Sequence, residues 1–73
     1  MDIETMRAIR HWKGMTQEQF SRWLGVSTPT VALFEAGHRN LSEATKGKLA
    51  HKFDINDADF IEYKKRRESL RGR

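Results

Sequence analysis

With 73 residues the chain is expected to form one domain, and a domain of this size hides only about 60% of the surface its unfolded form exposes, which leaves little room for an extended catalytic cleft. The absence of cysteine excludes disulfides and thiolate metal sites and suits a reducing cytoplasm. The charged start Met1-Asp2-Ile3-Glu4 and the lack of any apolar run of bilayer length argue against a secretory signal and a membrane span, so a soluble cytoplasmic protein is expected.

The net charge is +4 and the isoelectric point is near 9.9, a balance that favours a polyanionic partner. Its placement is uneven. Residues 1–63 hold eight Lys and Arg against nine Asp and Glu, whereas residues 64–73 hold Lys64, Lys65, Arg66, Arg67, Arg71 and Arg73 against Glu68 alone. The chain therefore reads as a nearly neutral domain over 1–63 followed by a basic tail over 64–73. Such a tail can track phosphates or simply stay solvated.

Apolar residues recur at helical spacing and never alternate over a strand's length, which predicts an all-α fold with short turns. A first helix over about residues 3–13 places Met6, Ile9 and Lys13 on one face and stops at Gly14, the usual residue for a left-handed helix end. Thr16 and Gln19 form a capping box that starts a second helix, with Phe20 and Leu24 one turn apart on its buried face. Gly25 turns left without steric penalty, which lets Val26 point back to the core. Ser27 or Thr28 caps a third helix: Pro29 suits its first turn, Val31 and Phe34 face inward, and Gly37 ends it. After a loop over residues 38–41, Ser42 caps a fourth helix carrying Leu49, Ala50 and Phe53, its middle weakened by Lys46 and Gly47. Residues 54–56 break the chain, and Asp57 caps a fifth helix that holds Phe60, Ile61 and Tyr63 and runs into the basic tail.

A capped helix, a Gly-Val-Ser turn, a short helix with one dominant buried stripe and a glycine stop make the geometry of two helices crossing steeply through a short turn. The residues Met15-Thr16-Gln17-Glu18-Gln19-Phe20, Leu24-Gly25-Val26-Ser27, Val31 and Glu35-Ala36-Gly37 closely resemble the helix-turn-helix of the lambdoid phage repressor and Cro family, often called the XRE family. The likeness runs from Met6 to Phe60 without a gap. It implies a five-helix, lambda-repressor-like domain whose third helix enters the major groove of double-stranded DNA. Such domains usually act as homodimers on a pseudo-palindromic operator with half-sites about one helical turn apart.

The resemblance assigns roles one residue at a time. Gln17 matches the family glutamine that bonds a phosphate and helps brace the recognition helix. Ser27, Thr28, Pro29, Thr30 and Leu33 match positions that face bases and flanking phosphates, and Arg39 with Asn40 falls in the loop that usually meets the DNA backbone. Arg10 and Glu35 match a structural ion pair found in some members. The fifth helix lies near the dimer axis in the family, and Phe53, Ile55, Phe60, Ile61 and Tyr63 offer more apolar surface than one small core needs, which points to a dimer interface.

Simpler roles stand beside several of these. Gln17 can be a solvated polar residue at a helix start, although an amide beside a helix N-terminus suits a phosphate. Thr28 and Thr30 can serve the cap alone. Recognition helices often offer Gln, Asn or Arg for bidentate bonds to a base edge; this one offers Thr, Pro, Thr and Leu. Sequence choice is therefore expected to lean on thymine methyls, Arg39 and DNA shape. Trp12 and Trp23 stand where the family is commonly polar, and either extend the core or form a surface for a partner protein. His11, His38 and His51 are too scattered for a metal site, and no cofactor is implied.

The function these residues favour is a DNA-binding transcriptional regulator. It is expected to be a repressor, since so short a chain has little room for an effector domain, and it could control its own operon. An antitoxin or adaptor that uses the same fold chiefly to hold a partner protein is the alternative. An enzyme finds no support: the sequence offers no nucleophile with a base, no paired carboxylates and no phosphate-binding glycine loop.

Overall fold

The computed structural model describes residues 2–71 as five helices: α1 (Ile3–Trp12), α2 (Gln17–Leu24), α3 (Thr28–Glu35), α4 (Glu43–Lys52) and α5 (Ala58–Arg71). No strand occurs among the described residues, in keeping with apolar positions that recur only at helical spacing. Each helix starts where a side chain takes over an amide that the first turn leaves unpaired. The Thr5 N–H donates to Asp2 Oδ1 at 2.7 Å in α1. In α2 the Gln19 N–H donates to Thr16 Oγ1 while the Thr16 N–H donates to Gln19 Oε1, the reciprocal capping box. Ser27, rather than Thr28, caps α3. Asp57 Oδ1 accepts from the Phe60 N–H at the start of α5.

The predicted weak point in α4 does not break it. Ser42 Oγ accepts from the Thr45 N–H at 3.1 Å, and Thr45 and Leu49, four residues apart, both point inward, so the cap and the buried stripe carry the helix through Gly47. Ala50 is exposed, and Phe53 has left the helix for an extended backbone at its C-cap. The end of α2 depends on Gly25 at φ +82°, a left-handed conformation that strains any residue with a Cβ. There the N–H groups of Gly25 and Val26 both reach the Ser21 carbonyl, and the chain reverses into α3 within three residues.

Met6, Ala8 and Ile9 of α1, Phe20 and Leu24 of α2, Val31 and Phe34 of α3, Leu41 of the next loop, Leu49 of α4 and Phe60 of α5 form the core. α2 packs on α3 and α4, and α1 packs on both α3 and α5. Trp23 extends this core: its ring lies against Phe20 with centroids 5.4 Å apart, and the Lys13 and Lys52 ammonium groups sit over it at 4.7 and 5.7 Å. Trp12 stays half in water while its ring leans on Tyr63 and Phe60, at 5.1 and 6.0 Å.

Tyr63, the boundary drawn from charge, lies inside α5. Residues 64–71 continue α5 without interruption, and Arg67 reaches back to α1: its Nη2 donates to Glu4 Oε1 at 2.8 Å and its Nη1 to His11 Nδ1 at 2.6 Å. Residues 64–71 are thus the last turns of α5, held to α1 at Arg67, while Arg73 lies outside the described residues. No described helix is long and apolar enough to cross a membrane.

Candidate nucleic-acid interface

Inward-facing residues of α3 decide what its other face presents. Val31 and Phe34 enter the core, which turns Pro29 and Leu33, four residues apart, outward; Leu33 is 41% exposed. The start of α3 is pinned by Ser21, a buried hydroxyl of α2 that donates to the Glu18 carbonyl at 2.7 Å and shares a hydrogen bond with Thr28 Oγ1 at 3.1 Å. Thr30 Oγ1 shares a hydrogen bond of 2.7 Å with Ser27 Oγ. The expected contact residues thus fall into two groups. Thr28 and Thr30 are half-buried and already engaged within the protein, though a hydroxyl with two lone pairs retains capacity to accept. Ser27, Pro29 and Leu33 are exposed, and the last two can make only apolar contact, for which a thymine methyl is the natural target in a major groove.

Behind α3 lies a charged hub centred on Glu35, whose side chain is 3% exposed. Arg10 Nε donates to Glu35 Oε2 at 2.8 Å and Arg10 Nη2 to Oε1 at 2.9 Å, a bidentate pair, while Arg10 Nη1 donates to the Met15 carbonyl at 3.2 Å. Gln17 Nε2 donates to Glu35 Oε1 at 3.2 Å. Burial by itself would raise the Glu35 carboxyl, but the hydrogen bonds from Arg10 and Gln17 and the charges of Arg10 and Arg7 outweigh it and hold the group below its ordinary value. Gln17 therefore braces α3 through Glu35, and its amide nitrogen has a second N–H to give elsewhere.

Arg39 and Asn40 are exposed in the loop between α3 and α4, and Arg39 has no ion-pair partner among the described residues. The cations of α5 differ. Lys64 pairs with Glu68 at 2.9 Å, Arg66 with Glu62 at 3.5 Å and Arg67 with Glu4. Much of the positive charge that marks this segment in the sequence is thus offset within the fold.

Of the five residues expected at a dimer interface, Ile55, Phe60 and Ile61 line one surface depression, while Phe53 and Tyr63 are half-buried. Phe60 is 1% exposed and belongs to the core, where Phe53 packs edge-on against it at 4.9 Å. Tyr63 is half-buried against Trp12. Ile55 and Ile61 are 44% and 37% exposed.

Three contributors escaped sequence reasoning. Ser21 carries no local sign of burial beyond its place on the Phe20–Leu24 side of α2. Arg7, which donates to the Glu35 carbonyl at 3.0 Å, had a signal: it stands one turn before Arg10 and so shares its face. The Glu4–Arg67 pair had none, since the two residues lie 63 positions apart.

The family model described as Helix-turn-helix matches residues 6–60. No curated protein and no solved structure matches the chain.

Proposed function

We propose for this chain, which belongs to the XRE-type helix-turn-helix family of DNA-binding transcriptional regulators, that it reads an inverted-repeat operator as a homodimer and represses by occupying it. α3 is the reader, with Leu33 and Pro29 toward bases, Ser27, Thr28 and Thr30 toward bases and flanking phosphates, and Gln17, Arg39 and Asn40 toward the backbone. The observation that carries this assignment is the outward face of α3: a large apolar side chain, Leu33, stands exposed on a helix whose opposite face is locked into the core. A single reader of this length covers only a few base pairs, so two copies are needed for a specific site, and exposed Ile55 and Ile61 with the half-buried Phe53 and Tyr63 supply the apolar part of their contact. Repression asks for nothing beyond occupancy, and a cytoplasmic location accords with a DNA partner.

Selection of bound duplexes from a random pool tests the proposal. The expected product is an inverted repeat with half-sites about one helical turn apart, bound by two protomers in sedimentation. Failure to enrich any sequence sinks the operator proposal, and an enriched site that saturates with one protomer sinks the dimer.

A further inference from the structure

α3 has no cationic residue in its own last turn, so the partial negative charge at its C-terminus is met by none of its own side chains. The N–H groups of Ala36, Gly37 and His38 bond the carbonyls of Ala32, Phe34 and Leu33. The Glu35 carbonyl instead receives Arg7 Nη2, which arrives from α1 at 3.0 Å, while Arg7 Nε lies 3.8 Å from Glu35 Oε1. Residue 35 is therefore gripped twice from one helix: Arg10 takes its carboxylate and Arg7 its backbone. The two arginines differ in surroundings. Arg10 is 14% exposed and Arg7 39%, so Arg7 holds the end of α3 from the surface, at the point where the chain turns through Gly37 toward Arg39.

We propose that Arg7 is a positioning residue for DNA reading: by capping the C-terminus of α3 from α1, it sets the tilt of that helix and the course of the loop bearing Arg39 and Asn40, without itself touching DNA. The proposal rests on α3 being the groove reader. A side chain that fixes the reader's main chain affects base contacts, which demand registry, far more than it affects the sequence-independent attraction to phosphate. Lysine could still reach the carbonyl but offers a compact ammonium in place of a fork that spans carbonyl and carboxylate, so it should restore the function only in part.

The test uses the whole chain with Arg7→Met and Arg7→Lys. Affinity is measured for the duplex that the native protein selects and for a scrambled duplex of equal length, and backbone amide spectra are recorded without DNA. Arg7→Met should weaken binding to the selected duplex about tenfold while its affinity for the scrambled duplex stays within about twofold. Arg7→Lys should recover much of the loss, and shift changes should be confined to α3 from Leu33 onward and the loop to Asn40. Equal loss on both duplexes means that Arg7 holds a phosphate and overturns the proposal, as does unchanged affinity for both. Shift changes spread through the core, with a matching fall in melting temperature, mean a general stability role and overturn it too. A native chain that selects no duplex sinks the operator proposal and this one with it; selection by the native chain with an indifferent Arg7→Met variant sinks this one alone.

Discussion

Arg10 and Glu35, 25 positions apart in sequence, meet through two hydrogen bonds of 2.8 and 2.9 Å that tie α1 to the last residue of α3. Both side chains are largely out of water, so neither can lose its partner cheaply. Glu35→Gln should cost about 3–5 kcal/mol in denaturant unfolding, the magnitude for stranding one member of a buried pair; a change under about 1 kcal/mol would be that of a surface pair.

The same carboxylate predicts an acid limb. Despite the opposing effect of burial, Arg10, Gln17 and Arg7 hold the folded Glu35 carboxyl below its ordinary value of 4.5, so on acidification the unfolded chain takes up the proton first. This share of stability is complete above that pH and is lost as pH falls through the folded value. Unfolding free energies measured from pH 6 downward should show a shallower loss in Glu35→Gln than in the native chain. Parallel curves would mean that Glu35 does not titrate in this way.

Leu33 and Phe34 are neighbours with opposite duties. Leu33→Ala should leave melting almost unchanged and reduce discrimination at one base step by about 1 kcal/mol. Phe34→Ala should remove about 3–5 kcal/mol of stability, much of what a small domain has. Equal losses of melting temperature would show that the outward face of α3 has been misassigned.

Arg39 offers an exposed guanidinium with no ion-pair partner among the described residues. If it neutralises one phosphate, Arg39→Ala should flatten the plot of log K against log salt by about 0.9 and weaken binding to selected and scrambled duplexes alike. An unaltered slope would place Arg39 off the backbone.

The α1–α5 latch should be visible at His11. Burial, and then the charges of Arg10 and Arg67, hold its imidazole below the ordinary 6.5, against the weaker pull of Glu35 and Glu4. With the folded value depressed, the unfolded chain binds the proton first, so acidification from about pH 6.5 toward the folded value should reduce stability. Arg67→Met removes one of the two cations, and NMR titration should find the His11 value moved back toward 6.5. A titration curve identical to the native one would mean that Arg67 does not face the ring in solution.

Local chemistry makes much of the fold legible in the sequence. The capping box of Thr16 and Gln19, the caps at Ser42 and Asp57 and the left turn at Gly25 all act within four residues, a range over which helix geometry alone dictates who meets whom. The inward stripe of Phe20, Leu24, Val31 and Phe34 follows from the same periodicity. The Arg10–Glu35 pair and the contact residues of α3 come instead from resemblance to a family, since nothing in their spacing joins them. What only the tertiary structure decided are the long-range choices. Gln17 turns one N–H inward to Glu35, Phe60 enters the core, and Arg67 of α5 reaches Glu4 of α1, 63 positions away in the chain. Such contacts form only once whole helices have docked, and docking depends on the summed burial of the core rather than on any one segment's pattern, which is why charge counted along the sequence says nothing of where Arg67 goes.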